Sequence, residues 1–66
     1  MAEYASLKTT EFAIRVVRVI GDFPYCIEIK RAGDGRYEKL DAYGDLNLAL
    51  VAAGKFFIEY SERLFN

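Results

Sequence analysis

The chain has 66 residues, a single cysteine, no histidine and a net charge of −1. A domain of this length buries only about 60% of its unfolded surface and usually needs added support. One cysteine without histidine excludes an internal disulfide and a conventional zinc site, so oligomerisation is the support that remains. Near-neutral charge also disfavours binding to nucleic acid or anionic lipid.

The first ten residues show no clear hydrophobic period. We predict an N-terminal arm over residues 1–10, followed by a single domain over residues 11–66. From Phe12 the β-branched run FAIRVVRVI predicts the first strand. After Gly21-Asp22, the segment PYCIEIKR alternates apolar and polar residues and predicts the second strand.

The first two strands are expected to form a hairpin through a two-residue type II′ turn at Gly21-Asp22. This turn pairs Ile20 with Phe23. It also places Val16 opposite Ile27, Ile14 opposite Ile29 and, on the other face, Arg15 opposite Glu28. A slip of one residue mixes the apolar and charged sets, so the pattern favours this register.

A second turn is predicted at Asp34-Gly35, a dipeptide typical of type I′ hairpins. Pairing Gly33 with Arg36 places Ile29 opposite Leu40 and Ile27 opposite Ala42. The same register opposes Lys30 with Lys39 and Glu28 with Asp41, and these like-charged pairs are unfavourable.

Asp45 is the predicted N-cap of a helix that extends from about Leu46 to Leu64. The predicted fold is therefore α+β: a three-stranded antiparallel meander in the order β-β-β-α, with one long C-terminal helix packed on one sheet face. Spacings of three and four predict which helix residues cover the sheet: Leu46, Leu50, Ala53, Phe57, Tyr60 and Leu64.

The helix carries more apolar residues than one small sheet covers. We predict that the remainder form a self-association or partner surface, because large exposed apolar patches usually mark contacts: Leu48, Val51, Ala52, Phe56, Ile58 and Phe65. A homodimer is the favoured partner, and another protein is the second. In a third interpretation the first ten residues fold back, with Tyr4 and Leu7 covering the helix.

The sequence offers no catalytic constellation, since histidine is absent and Cys26 has no neighbouring base. We predict a small non-enzymatic protein-binding module, an adaptor or inhibitor of a larger protein, with no cofactor, metal or small-molecule substrate. A catalytic role assembled at a subunit boundary is the remaining, weaker interpretation.

The outer sheet face gives an alternative function. It is expected to present cations beside aromatic rings, an arrangement that binds single-stranded nucleic acid: Arg15, Lys30, Tyr37, Lys39 and Tyr43. Glu28 and Asp41 are expected in the same lattice and disfavour this function. Val17, Val19 and Cys26 share the face and offer a second protein contact.

No segment has the ~18 consecutive apolar residues that mark a membrane span. The first twelve residues lack the basic start and apolar run of a signal peptide. We therefore expect a cytoplasmic protein without membrane contact, which also suits a lone cysteine.

Overall fold

The computed structural model describes residues 2–65, with side chains through residue 63. Its elements are strands β1 (Ala2–Lys8), β2 (Phe12–Arg18), β3 (Tyr25–Arg31) and β4 (Glu38–Tyr43), followed by helix α1 (Leu46–Phe65). The strands form one antiparallel sheet in chain order, and the helix packs on one face. The α+β class is confirmed, but the sheet has four strands where the sequence predicted three.

The additional strand, β1, is formed by residues predicted to be an N-terminal arm. It pairs with β2 along its length and places Ala5 opposite Val16 and Leu7 opposite Ile14. The turn between the two strands is held by Thr9, whose hydroxyl oxygen accepts the Phe12 N–H at 3.2 Å while its own N–H donates to the Phe12 carbonyl at 2.8 Å. A threonine turn of this kind lacks the Gly, Asn or Asp signals that mark most hairpins.

The predicted register of the central hairpin is confirmed from end to end. Ile14 lies opposite Ile29, Val16 opposite Ile27 and Arg15 opposite Glu28. The turn differs from the prediction, because the last hydrogen bond of this hairpin runs from the Val19 N–H to the Pro24 carbonyl at 2.8 Å. Residues 20–23 therefore form a four-residue loop in place of a tight type II′ turn.

The predicted register of β3 with β4 is wrong. Ile27 lies opposite Asp41 and Glu28 opposite Lys39, and the register shift between these pairs leaves Leu40 as the extra residue of a bulge. This arrangement replaces two like-charged pairs by an opposite-charged one and still lets Leu40 pack against the core.

The turn that leads into β4 also differs from the type I′ prediction. It spans Arg31–Asp34, where the Asp34 N–H donates to the Arg31 carbonyl at 2.9 Å. Gly33 has a φ of 91°, a conformation that suits glycine at the third position of a type II turn.

The core lies between the helix and the two central strands, and its fully buried residues are small on the helix and large on the sheet. Among the described side chains they are Phe12, Ile14, Val16, Ile27, Ile29, Ala49 and Ala53. Most of the predicted helix stripe is confirmed, since Leu46, Ala53, Phe57 and Tyr60 lie in the core or pack against it. Leu50 is exposed and Ala49 is buried in its place, and the side chain of Leu64 lies outside the described residues. Alanine at the closest approach lets the helix lie against bulky isoleucine and valine side chains without overpacking.

The start of the helix is capped as predicted. The Asp45 carboxylate accepts the N–H of Asn47 at 2.7 Å and that of Leu48 at 3.2 Å. Two of the four unpaired N–H groups of the first turn are therefore satisfied by one side chain.

Asp45→Ala is expected to lower the free energy of unfolding by about 1 kcal/mol, because both first-turn hydrogen bonds are lost. Urea denaturation followed by circular dichroism measures the difference. Asp45→Asn, which keeps an acceptor oxygen, is the matched control and should retain most of the stability. Equal losses in the two variants would contradict a capping role for the hydrogen bonds.

Candidate interaction surfaces

The side of the helix that faces away from the sheet carries three large, exposed aliphatic residues. Leu48 and Val51 are each 58% exposed, and Ile58 is 59% exposed. At about 100° per residue, Val51 and Ile58 lie roughly opposite the buried Ala49 and Ala53. No other part of the described chain covers them.

The structure exposes only some of the residues that the sequence predicted for the partner surface. Leu48, Val51 and Ile58 face outward, whereas Ala52 and Phe56 are partly buried and pack against the core. The predicted Phe65 contact concerns a side chain that lies outside the described residues.

The first ten residues do not cover the helix, because β1 occupies an edge of the sheet. Tyr4 makes an edge-to-face contact with Tyr25 at 5.8 Å between ring centroids, and Leu7 lies opposite Ile14. Both Tyr4 and Leu7 remain partly exposed at this edge. The interpretation in which they fold over the helix is wrong.

A second apolar surface, which the sequence did not predict, lies at the loop between β2 and β3. Ile20 is fully exposed, Phe23 is 64% exposed and Val19 is also exposed. We name Ile20 and Phe23 the loop tip. The type II′ prediction paired these two residues within the sheet, so it did not indicate that they are exposed. They are exposed because the hydrogen bonds between β2 and β3 end at Val19 and Pro24.

Both edges of the sheet are poorly suited to adding another strand. β1 has an irregular register between Glu3 and Ala5, and β4 has the bulge at Leu40. The Asp41 carboxylate also accepts the N–H of Ala42 at 2.9 Å. Bulges and charged residues are the usual means of blocking edge-to-edge association.

The outer sheet face carries an organised set of charges. The Arg15 guanidinium forms an ion pair with Glu28 at 2.8 Å and stacks over the Tyr37 ring at 3.7 Å from its centroid. Lys30 lies 5.9 Å from the same ring, and Lys39 lies opposite Glu28. The structure thus brings together Arg15, Lys30, Tyr37 and Lys39, four of the five predicted residues.

Tyr43, the fifth predicted residue, is not part of the outer face. It lies opposite Tyr25 and packs against the core on the helix side. Hydrogen bonding to the Asp41 side chain, burial and the charge of that carboxylate raise the pKa of Tyr43 above its ordinary value. Asp41 lies opposite Ile27, so it does not join Glu28 in a carboxylate pair.

Lys8 is a cation of the outer face that the sequence reading missed. It lies opposite Ala13, which lies opposite Lys30 in the next strand, so the three residues form one row across the sheet. The predicted arm over residues 1–10 leaves Lys8 outside the sheet. The alternation of Ala5 and Leu7 with Ser6 and Lys8 is the period-2 signal that identifies the strand.

Val17 and Cys26 do not offer a second protein contact. They lie opposite each other at the centre of the outer face, and both side chains are buried. Burial also makes Cys26 a structural residue in this arrangement.

The described residues contain no group of three His, Cys, Asp or Glu side chains placed to hold a metal ion. Over residues 2–65, the helix does not combine the length and apolarity that crossing a membrane requires. Comparisons of the chain with family models, curated proteins and solved structures gave no match.

Proposed function

We propose that this chain is a small non-enzymatic binding module that self-associates through the outward side of its helix. The single observation that supports this most is the exposure of Leu48, Val51 and Ile58, each more than half exposed on one helix. The blocked sheet edges favour the helix over strand addition as the route of association. An adaptor or inhibitor role toward a larger protein would use the same surface.

The size of the helix surface predicts a weak dimer. Three exposed aliphatic side chains on each chain form a small apolar contact. Small contacts are typical of weak, transient complexes. We therefore expect a concentration-dependent equilibrium and not a permanent dimer.

Sedimentation equilibrium over a wide range of concentration tests the proposal. The expected result is a mass that rises from one chain toward two in the micromolar to millimolar range. If the measured mass is that of a single chain at every concentration up to about 1 mM, self-association is excluded.

The outer face supports a second candidate, the binding of single-stranded nucleic acid. Four cations occupy neighbouring rows of this face: Lys8, Arg15, Lys30 and Lys39. Glu28 is the carboxylate among them, and its charge is already paired with Arg15. Cations on a sheet that also carries an aromatic ring bind the phosphate backbone and stack bases, although Arg15 covers one side of Tyr37.

Titration of a fluorescent oligothymidylate at two salt concentrations tests this candidate. Binding through Lys8, Lys30 and Lys39 is expected to weaken steeply as salt is raised, since each phosphate contact releases counterions. Lys30→Glu should abolish it, whereas Lys55→Glu, the same change on the exposed helix, should reduce it little. Absence of binding at low salt, or equal loss in both variants, would exclude the outer face as the site.

A further inference from the structure

A cleft lies between the last turns of the helix and the sheet, where β2 begins and β3 ends. Its volume is about 430 Å³, and it is lined by the rings of Phe12 and Tyr60, whose centroids lie 6.0 Å apart. Ile29 and Ala32 complete the apolar part of the lining. Clefts of about 300–1,000 Å³ with apolar and aromatic walls are the usual sites for small molecules.

Two arginines bring their guanidinium groups to this cleft. Arg31 ends β3 and Arg63 lies in the last turn of the helix, and both line the cleft. Their guanidinium carbons lie 5.5 Å and 5.2 Å from the centroid of the Tyr60 ring, a distance at which an aromatic face attracts a cation. The fold therefore places two cations from different elements beside one apolar floor.

Both guanidinium groups are available to a ligand. Glu38 lies 3.5 Å from Arg31 and Glu59 lies 2.7 Å from Arg63, but all four side chains are about half exposed or more. Ion pairs this exposed contribute little, so a ligand can replace them. Neither of these two carboxylates lines the cleft. Among the described residues Glu11 is the carboxylate that does, so two cations face one anion there.

We propose that this cleft binds a small aromatic carboxylate. The ring of such a ligand packs against Phe12 and Tyr60, because aromatic pairs gain more than their buried area alone provides. Its carboxylate lies between Arg31 and Arg63, because a planar guanidinium forms paired hydrogen bonds with a carboxylate. An uncharged apolar ligand leaves both arginines unused, and a cation is repelled by them. The site is independent of the proposed self-association, since the cleft lies on the side of the helix that packs on the sheet.

Titration of the full chain with 2-naphthoate, followed by two-dimensional ¹H–¹⁵N NMR, tests the proposal. The expected result is saturable shifts of the amides around the cleft, such as those of Glu11 and Ala32, with a Kd of about 0.1–1 mM for a ligand of this size. Arg31→Gln and Arg63→Gln are each expected to weaken binding at least about threefold, since each removes a charged hydrogen-bond donor. Arg36→Gln, which removes the same charge from an exposed residue outside the cleft, is the matched control and should bind as the unaltered chain does.

A neutral ligand with the same ring separates recognition of the carboxylate from apolar adsorption. 2-Naphthalenemethanol should bind at least about threefold more weakly than 2-naphthoate, and the NMR spectra show that each variant remains folded. Equal binding of the two compounds, or an equal loss of binding in all three arginine variants, would overturn the proposal. Shifts that centre on the loop tip or on the outward side of the helix would place the ligand on another apolar surface and would also overturn it. The absence of any shift up to about 10 mM ligand would do the same, and none of these outcomes bears on self-association.

Discussion

Replacing Ile27 by alanine is expected to remove most of the stability of the fold. Ile27 has no exposed surface and lies in β3, at the centre of the cluster that joins sheet and helix. Truncation of a fully buried isoleucine costs about 2–5 kcal/mol. At about 0.05–0.15 kcal/mol per residue, a chain of 66 residues has roughly 3–10 kcal/mol in total. Urea denaturation followed by far-ultraviolet circular dichroism measures the loss.

Ile20→Ala is the matched control, because it deletes the same atoms from a fully exposed residue. At a concentration where the chain is monomeric, its free energy of unfolding should change by no more than about 0.5 kcal/mol. A comparable loss at both positions would mean that Ile20 is buried in solution, as the type II′ hairpin prediction implied. The comparison thus tests the place where the central hairpin ends.

The central hairpin was predictable because both of its faces carry a signal. Apolar residues alternate on one face, and the opposite charges of Arg15 and Glu28 meet on the other, as the 2.8 Å ion pair shows. A change of register by one residue would exchange the two sets of side chains. With both faces constrained, one register remained.

The outer strands were harder to predict because each departs from regular pairing. β4 departs from the predicted pairing from its first residue, because the turn before it differs. The bulge at Leu40 then moves the later residues of the strand to new partners. The opposed like charges in the predicted register were the only sign of this. β1 was missed because its turn depends on a threonine hydroxyl and its segment, AEYASLK, contains only two residues that reach the core side from a regular position.

The helix face that covers the sheet was predicted at most positions, but its width was not. Hydrophobic periodicity identified one set of apolar residues spaced three and four apart. Because the helix carries so many apolar residues, several such sets can be drawn on it. The sheet decides among them by volume: its isoleucine and valine side chains accept Ala49 and Ala53 at closest approach and turn Leu50 outward. Ala52 and Phe56 also reach the core, whereas Leu48, Val51 and Ile58 remain outside.

Ile58→Glu is expected to abolish self-association while the monomer stays folded. Ile58 is 59% exposed on the outward side of the helix, so in a two-fold dimer the substitution places two carboxylates in the apolar contact. An unpaired buried charge costs several kcal/mol, which corresponds to a dimerisation constant weakened at least about 100-fold. Sedimentation equilibrium measures the constant, and circular dichroism confirms the fold.

Ser6→Glu is the matched control for this prediction, since it introduces the same charge at an exposed position of the sheet edge, on the face away from the helix. Both variants raise the net negative charge equally, so general repulsion between chains affects them alike. Selective loss in Ile58→Glu therefore reports contact at the helix. An equal weakening of dimerisation in the two variants would assign the effect to charge alone. Unaltered dimerisation of Ile58→Glu would show that the outward side of the helix faces water in the dimer.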